Sequence, residues 1–182
     1  MNVKSIFFVL VIFCVSSCSF QSSQYDYLRS IFKQDQSNQI PKKNWNMKWG
    51  DIDIDLYAIN VNQHVIFADE DINIFFLDDH IYKINGLNSD YKFIEIIKND
   101  KKLDFFINNK KVSTHYCAEK EVLSIDDMET LMTQECQKSN SNEIYQNTVR
   151  RNSNGEIIDI VFHISPEHQS LKLSINPAIR YN

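Results

Sequence analysis

The stretch His64–Leu87, HVIFADEDINIFFLDDHIYKINGL, decides the fold. Three short runs of β-branched and aromatic residues, HVIFA, INIFFL and HIYKI, are separated by acidic residues, among them the pair Asp78-Asp79. Such side chains suit a pleated, half-buried surface, whereas Asp favours the turns between strands. The runs recur at close, regular spacing with no helical pattern between them, which predicts an antiparallel meander.

The same grammar extends in both directions. Upstream, DIDIDLY alternates Ile52, Ile54 and Leu56 with Asp51, Asp53 and Asp55, the period of a strand wet on one face. The spaced aspartates lack the glycine turn and distal Glu of a calcium loop, so they read as a solvent-facing strand. Downstream, YKFIEII, LDFFI and VSTHYCA continue the series with Asn108-Asn109 as a turn signal. EIYQNTVRRNSNGEIIDIVFHISP reads as two strands joined at Asn154-Gly155, a strong hairpin signal, and LKLSI closes the series before Pro177. One segment is ambiguous. In SIDDMETLMTQECQK, Ser124 and Asp127 resemble a capping box, and Ile125, Met128, Met132 and Cys136 share a helical face.

The N-terminus obeys other rules. Lys4 precedes an apolar run, Ile6–Val15, too short to span hydrocarbon, which needs about 20 residues. A charged start, a short apolar middle and small residues at the boundary make a secretory signal. Val15-Ser16-Ser17-Cys18 has the aliphatic, small, small, cysteine order of a lipoprotein cleavage site, with Cys18 as the lipidated residue. At Cys14 the same register would place bulky Phe13 and Ile12 beside the cut, so Cys14 is discarded with the signal. The expected organisation is residues 1–17 as signal peptide, 18–46 as a lipid-anchored tether, and 47–182 as a β-rich domain. Within the tether, YDYLRSIFK places Tyr27, Leu28, Ile31 and Phe32 on one face of a short amphipathic helix, suited to the membrane or to the protein's own domain. Ser19, where an Asp would favour inner-membrane retention, points to the outer membrane facing the periplasm.

Export shapes the remaining chemistry. Loss of the signal leaves 18 of the 19 basic residues against all 24 acidic ones, without a Lys/Arg cluster, a poor match for nucleic acid. Cys117 and Cys136 are then the two remaining cysteines, and an oxidising compartment allows them to pair; two buried free thiols are the alternative. A zinc site would need further ligands at close spacing. His163 and His168, with Glu167 adjacent, are kept off any common helical face by Pro166 and read as surface-loop residues. His64, His80 and His115 fall in separate strands with no second histidine nearby in sequence. With three glycines in the chain there is no Gly-x-Ser-x-Gly elbow, P-loop or dinucleotide turn, so no cofactor, metal or catalytic residue is expected.

Three segments in order resemble one family, the GfcB/YjbF lipoproteins associated with group 4 capsule and other exopolysaccharide loci. They are the lipobox with YDYLRSIFK, the stretch His64–Leu87, and NTVRRNSNGEIIDIVFHISP. Ile81, Lys83, Gly86, Leu87 and Asp90 fit the family's first hairpin, and Asn147, Gly155, Ile157 and Pro166 its second. Phe67, Asp79, His80 and Arg150 depart from it, standing where tryptophan, glycine, arginine and tryptophan are usual. The resemblance implies a mainly β fold: an antiparallel meander curved into a half-barrel, with strands where METLMTQEC lies. That favours strand over the helical reading of 124–137. It also implies a non-enzymatic accessory in export or assembly of capsule or exopolysaccharide, with polysaccharide or export-machinery proteins as partners. A lipid-binding carrier, or a polysaccharide-modifying enzyme with an unrecognised site, is the alternative. The aromatics Tyr57, Phe67, Phe75, Phe76, Tyr82, Tyr91, Phe93, Phe105, Phe106 and Tyr116 are expected to be mostly core.

Replacing Cys18 with Ala is expected to abolish partitioning into the detergent phase; unchanged partitioning would contradict lipidation.

Overall fold

Alternation becomes architecture in thirteen strands. They are β1 (Trp45–Trp49), β2 (Ile52–Val61), β3 (His64–Ala68), β4 (Asn73–Leu77), β5 (His80–Asn85), β6 (Phe93–Asn99), β7 (Lys102–Ile107), β8 (Lys110–Cys117), β9 (Glu121–Asp126), β10 (Glu129–Lys138), β11 (Ile144–Asn152), β12 (Ile157–His163) and β13 (Ser170–Ile175). This computed structural model describes residues 43–61, 63–126, 128–164 and 170–176. Cys18, the helix through Phe32, Pro166, Glu167 and His168 lie outside the described residues. The first strand begins at Trp45, two residues ahead of the expected domain start, because Trp45, Met47 and Trp49 already alternate inward against β2 and β13.

Every neighbouring pair is antiparallel, and the sheet goes further than a half-barrel. Its order is β11-β12-β13-β1 and on through β8 to β10, and β10 pairs back with β11, so twelve strands close and β9 hangs beside β10. The closing strand is shared unequally. On one side β10 pairs with β11 from Glu129 to Gln137. On the other it meets β9 over Glu129–Thr133 and β8 over Cys136–Lys138, a short seam. The disputed segment is therefore strand: Met132, Gln134 and Cys136 turn inward and the residues between them face outward.

Cys117 lies directly opposite Cys136 in that seam, and the two are joined by a disulfide with Sγ–Sγ 2.04 Å. Around the ring, inward residues make one core. Met47, Leu56, Phe67, Ile74, Ile81, Ile84, Ile94, Ile160 and Leu173 are fully sheltered, and Trp45 meets Phe67 edge-on at 4.7 Å between centroids. Eight strands give a bore that side chains fill, so twelve demand bulk; Phe105, Phe162 and the two tryptophans supply it. Each large side chain buried in this way contributes roughly 1.5–3 kcal/mol.

Turn chemistry follows the sequence. Asp78 and Asp79 adopt φ of 49° and 60°, the left-handed pair of a tight hairpin, with Asp79 where the resembled family has glycine. Gly86, at φ 83°, has no substitute: a Cβ there would collide with the carbonyl oxygen of Asp71. The β4–β5 turn is also pinned at a distance. Arg151 of β11 donates to Asp79, and Lys120 donates to the Asp78 carbonyl and the Asp79 carboxylate. In a ring of twelve, β5 stands well around from β11, so this clasp ties separated arcs of the barrel together at one end.

Because the disulfide closes a loop with sequence separation 19, its removal by Cys117→Ser with Cys136→Ser is expected to cost about 3 kcal/mol in urea unfolding. An unchanged unfolding midpoint would show that strand pairing alone holds the seam.

Candidate functional site

The outer wall of β3–β6 gathers chemically versatile side chains. It originates in one irregularity. Along β4 and β5, Phe75 pairs with Lys83 but the next residue, Phe76, pairs with Ile81, so Tyr82 is the extra residue of a bulge. The bulge lets Ile81 and Ile84 both point inward while Tyr82 and Lys83, adjacent in sequence, remain half-exposed. Lys83 then lies between two rings, its ammonium 5.5 Å from the centroid of Phe75 and 5.2 Å from that of Phe93. Such cation–π contacts contribute about 0.5–1 kcal/mol at exposed sites.

Tyr82 gathers the rest. Its hydroxyl is 3.2 Å from His64 Nδ1, and its ring lies 5.8 Å from His64, 5.9 Å from Phe75 and 6.4 Å from His80. Burial raises the pKa of the Tyr82 phenol, so it stays protonated and able to donate. Burial foremost, with the charges of Lys98 and Lys120, lowers that of the His80 imidazole below its ordinary value. His80 Nδ1 is buried and, among the described residues, has no side-chain hydrogen-bond partner. Burial would raise the neighbouring Asp79 carboxylate, but hydrogen bonds and charge from Arg151 and Lys120 outweigh it and hold Asp79 below the usual range. The wall therefore combines aromatic faces, a cation and neutral donors and acceptors. Aromatic faces accept the apolar C–H face of a pyranose ring, and the polar groups around them suit its hydroxyls.

A second polar cluster lies inside the barrel. His115 meets the Tyr145 hydroxyl at 2.6 Å through Nδ1 and Ser113 Oγ at 2.9 Å through Nε2. Tyr145 also packs on His163, ring centroids 4.2 Å apart, and burial pushes its pKa up, so it is a neutral phenol. Asn147 accepts the His163 backbone N–H and reaches the Cys136 sulfur, while Gln134 donates to the Ala118 carbonyl. The His115, Tyr145, Asn147 and Gln134 side chains thus find partners in the interior, as buried polar groups generally do. Among the described residues no group of three or more His, Cys, Asp or Glu is placed to hold a metal ion.

Three sequence expectations change here. His64 and His80, far apart in the chain, meet around Tyr82, and His163 ends β12 against Tyr145 instead of occupying a surface loop. Of the ten aromatics expected to be mostly core, Phe67, Phe76 and Phe105 are buried; the other seven are half-exposed or, at Tyr116, exposed. The wall formed by Phe75, Tyr82 and Phe93 left its signal in the doublets Phe75-Phe76 and Tyr82-Lys83, which interrupt strict alternation.

No protein-family model and no curated protein match the chain. A solved structure does: the hypothetical lipoprotein YmcC from Escherichia coli, at 12% identity and a TM-score of 0.55, over 84% of this chain and 95% of that one. At that identity the likeness is one of fold.

The depressed His80 pKa carries a pH signature. Below the ordinary value of 6.5 the unfolded chain binds a proton that folded His80 resists, so stability present above that pH is lost as the pH falls. Between about pH 7 and about pH 5, the melting temperature of the wild type is expected to drop more than that of His80→Gln. Parallel curves would show that His80 is not the group responsible.

Proposed function

We propose that this chain is a lipid-anchored protein of the bacterial cell envelope, held through Cys18, that assists export or assembly of a surface polysaccharide without catalysing a reaction. In this reading it holds glycan against the outer wall of β3–β6. The single observation that carries it is the wall itself: Phe75, Tyr82 and Phe93 half-exposed around Lys83 and His64, on a face that folding alone would leave polar. The lipobox supports the anchor, and Ser19 supports the outer membrane. The resemblance to the GfcB/YjbF lipoproteins supports the pathway, and the fold shared with the hypothetical lipoprotein YmcC agrees with a lipoprotein role. Phe67, Phe105, Phe162 and Met47 occupy the barrel interior, which favours a binding wall over an enclosed acyl chain.

Deleting the gene is expected to lower surface polysaccharide, and wild-type protein to restore it. Phe75→Ala with Tyr82→Ala should restore little at equal protein level. Each single substitution should weaken binding of oligosaccharides from that polymer about tenfold, or roughly 1.4 kcal/mol. Full restoration by the double variant would overturn the assignment of the wall.

A further inference from the structure

The wall of β3–β6 carries a charge as well as rings. Lys48, Lys102, Lys111 and Lys120 each reach a carboxylate on the barrel. Lys83 differs: among the described residues it forms no ion pair, although Glu95 is its direct partner across β5 and β6. Its ammonium lies instead between Phe75, its partner on β4, and Phe93, two positions before Glu95 and so on the same face of β6. Flanking rings attract an ammonium but do not accept its N–H groups as a carboxylate does, so Lys83 keeps the capacity for a charge-assisted bond.

That juxtaposition discriminates between sugars. A pyranose laid against an aromatic ring projects its C6 substituent past the ring, toward whatever stands beside it. In a neutral hexose this substituent is a hydroxymethyl group; in a hexuronate it is a carboxylate. An ammonium beside the rings favours the carboxylate, because a charge-assisted hydrogen bond is about twice as strong as a neutral one. The rest of the barrel opposes an anionic polymer. The chain holds 24 acidic against 19 basic residues, and on neighbouring β2 Asp53 and Asp55 stand exposed beside Asn46. Like charge steers such a polymer away from those surfaces, so a cation framed by rings localises it. We infer that the wall selects acidic glycan, with a uronate carboxylate of the bound sugar seated on the Lys83 ammonium while the sugar ring rests against Phe75 or Phe93. The inference rests on the reading of this wall as a glycan-binding surface, and it makes Lys83 the residue that sets which glycan is held.

The test titrates the full, processed chain in detergent with oligosaccharides cut from the cell's surface polymer. They are used as such and after carbodiimide and borohydride treatment, which reduces each carboxylate to a hydroxymethyl group. Wild type is expected to bind the acidic form about threefold to fivefold more tightly than the reduced form, the scale of one exposed ion pair. Lys83→Gln should bring both forms to the affinity of the reduced one, and Lys83→Arg should keep most of the preference. Raising salt from about 50 mM to about 500 mM should remove the preference from wild type with no substitution at all. Lys172→Gln, at an exposed position of β13, should leave it intact. Equal affinity of wild type for the two forms keeps the glycan wall and overturns its selectivity. A preference that survives Lys83→Gln, or that Lys172→Gln removes as fully, overturns the assignment to Lys83. Absence of binding by either form overturns the wall, and the selectivity with it.

Discussion

Closure of the barrel depends on the seam between β8 and β10. The nine-pair contact between β10 and β11 can form as an ordinary hairpin, but the ring closes only when β10 also meets β8 at Cys136–Lys138. Three residue pairs are a slender basis for bringing the two ends of a long sheet together, and loop entropy opposes it. The disulfide between Cys117 and Cys136 sits in those pairs, where a covalent link does most to offset that cost. Beside it, His115 bonds the Tyr145 hydroxyl, Asn147 takes the His163 backbone N–H and Gln134 donates to the Ala118 carbonyl, so these buried polar side chains have partners. The compartment implied by the N-terminal signal is one in which such a bond persists.

Much of this fold was legible in the sequence because strand alternation and turn chemistry are local. The runs at His64–Ala68, Asn73–Leu77 and His80–Asn85, the turn at Asp78-Asp79 and the hairpin at Asn154-Gly155 stand where the pattern placed them. The segment through Met132 and Cys136 was ambiguous for a simple reason: a spacing of four suits one helical face and also one face of a strand. Closure was not legible, since nothing local in β10 reveals that it will pair on two sides. The sequence pointed to an open, curved sheet, and only the pairing of its two ends makes a ring.

The aromatic wall was missed for a related reason. Burial was inferred from residue type, but a bulge at Tyr82 shifts the parity of β5 by one and leaves Tyr82 and Lys83 half-exposed together. The histidines that meet there come from different strands, which sequence proximity cannot show. Of the departures from the resembled family, Asp79 and His80 fall beside that wall, whereas Phe67 lies in the core and Arg150 on β11. Asp79 takes the ion pair with Arg151, His80 lies beside Tyr82, and Arg150 pairs with Glu129 at 3.6 Å. Asp79 thereby anchors an electrostatic clasp with Arg151 and Lys120 at the end of the barrel where β1 begins.

The central claim is that the outside of β3–β6, and not the interior, is the working surface. Amide and side-chain NMR shifts during titration with oligosaccharides of the cell's surface polymer test it most directly. The account predicts saturable shifts at Phe75, Tyr82, Lys83 and Phe93 with Phe67 and Phe105 undisturbed; shifts concentrated on the interior residues, or none on the wall, would contradict it.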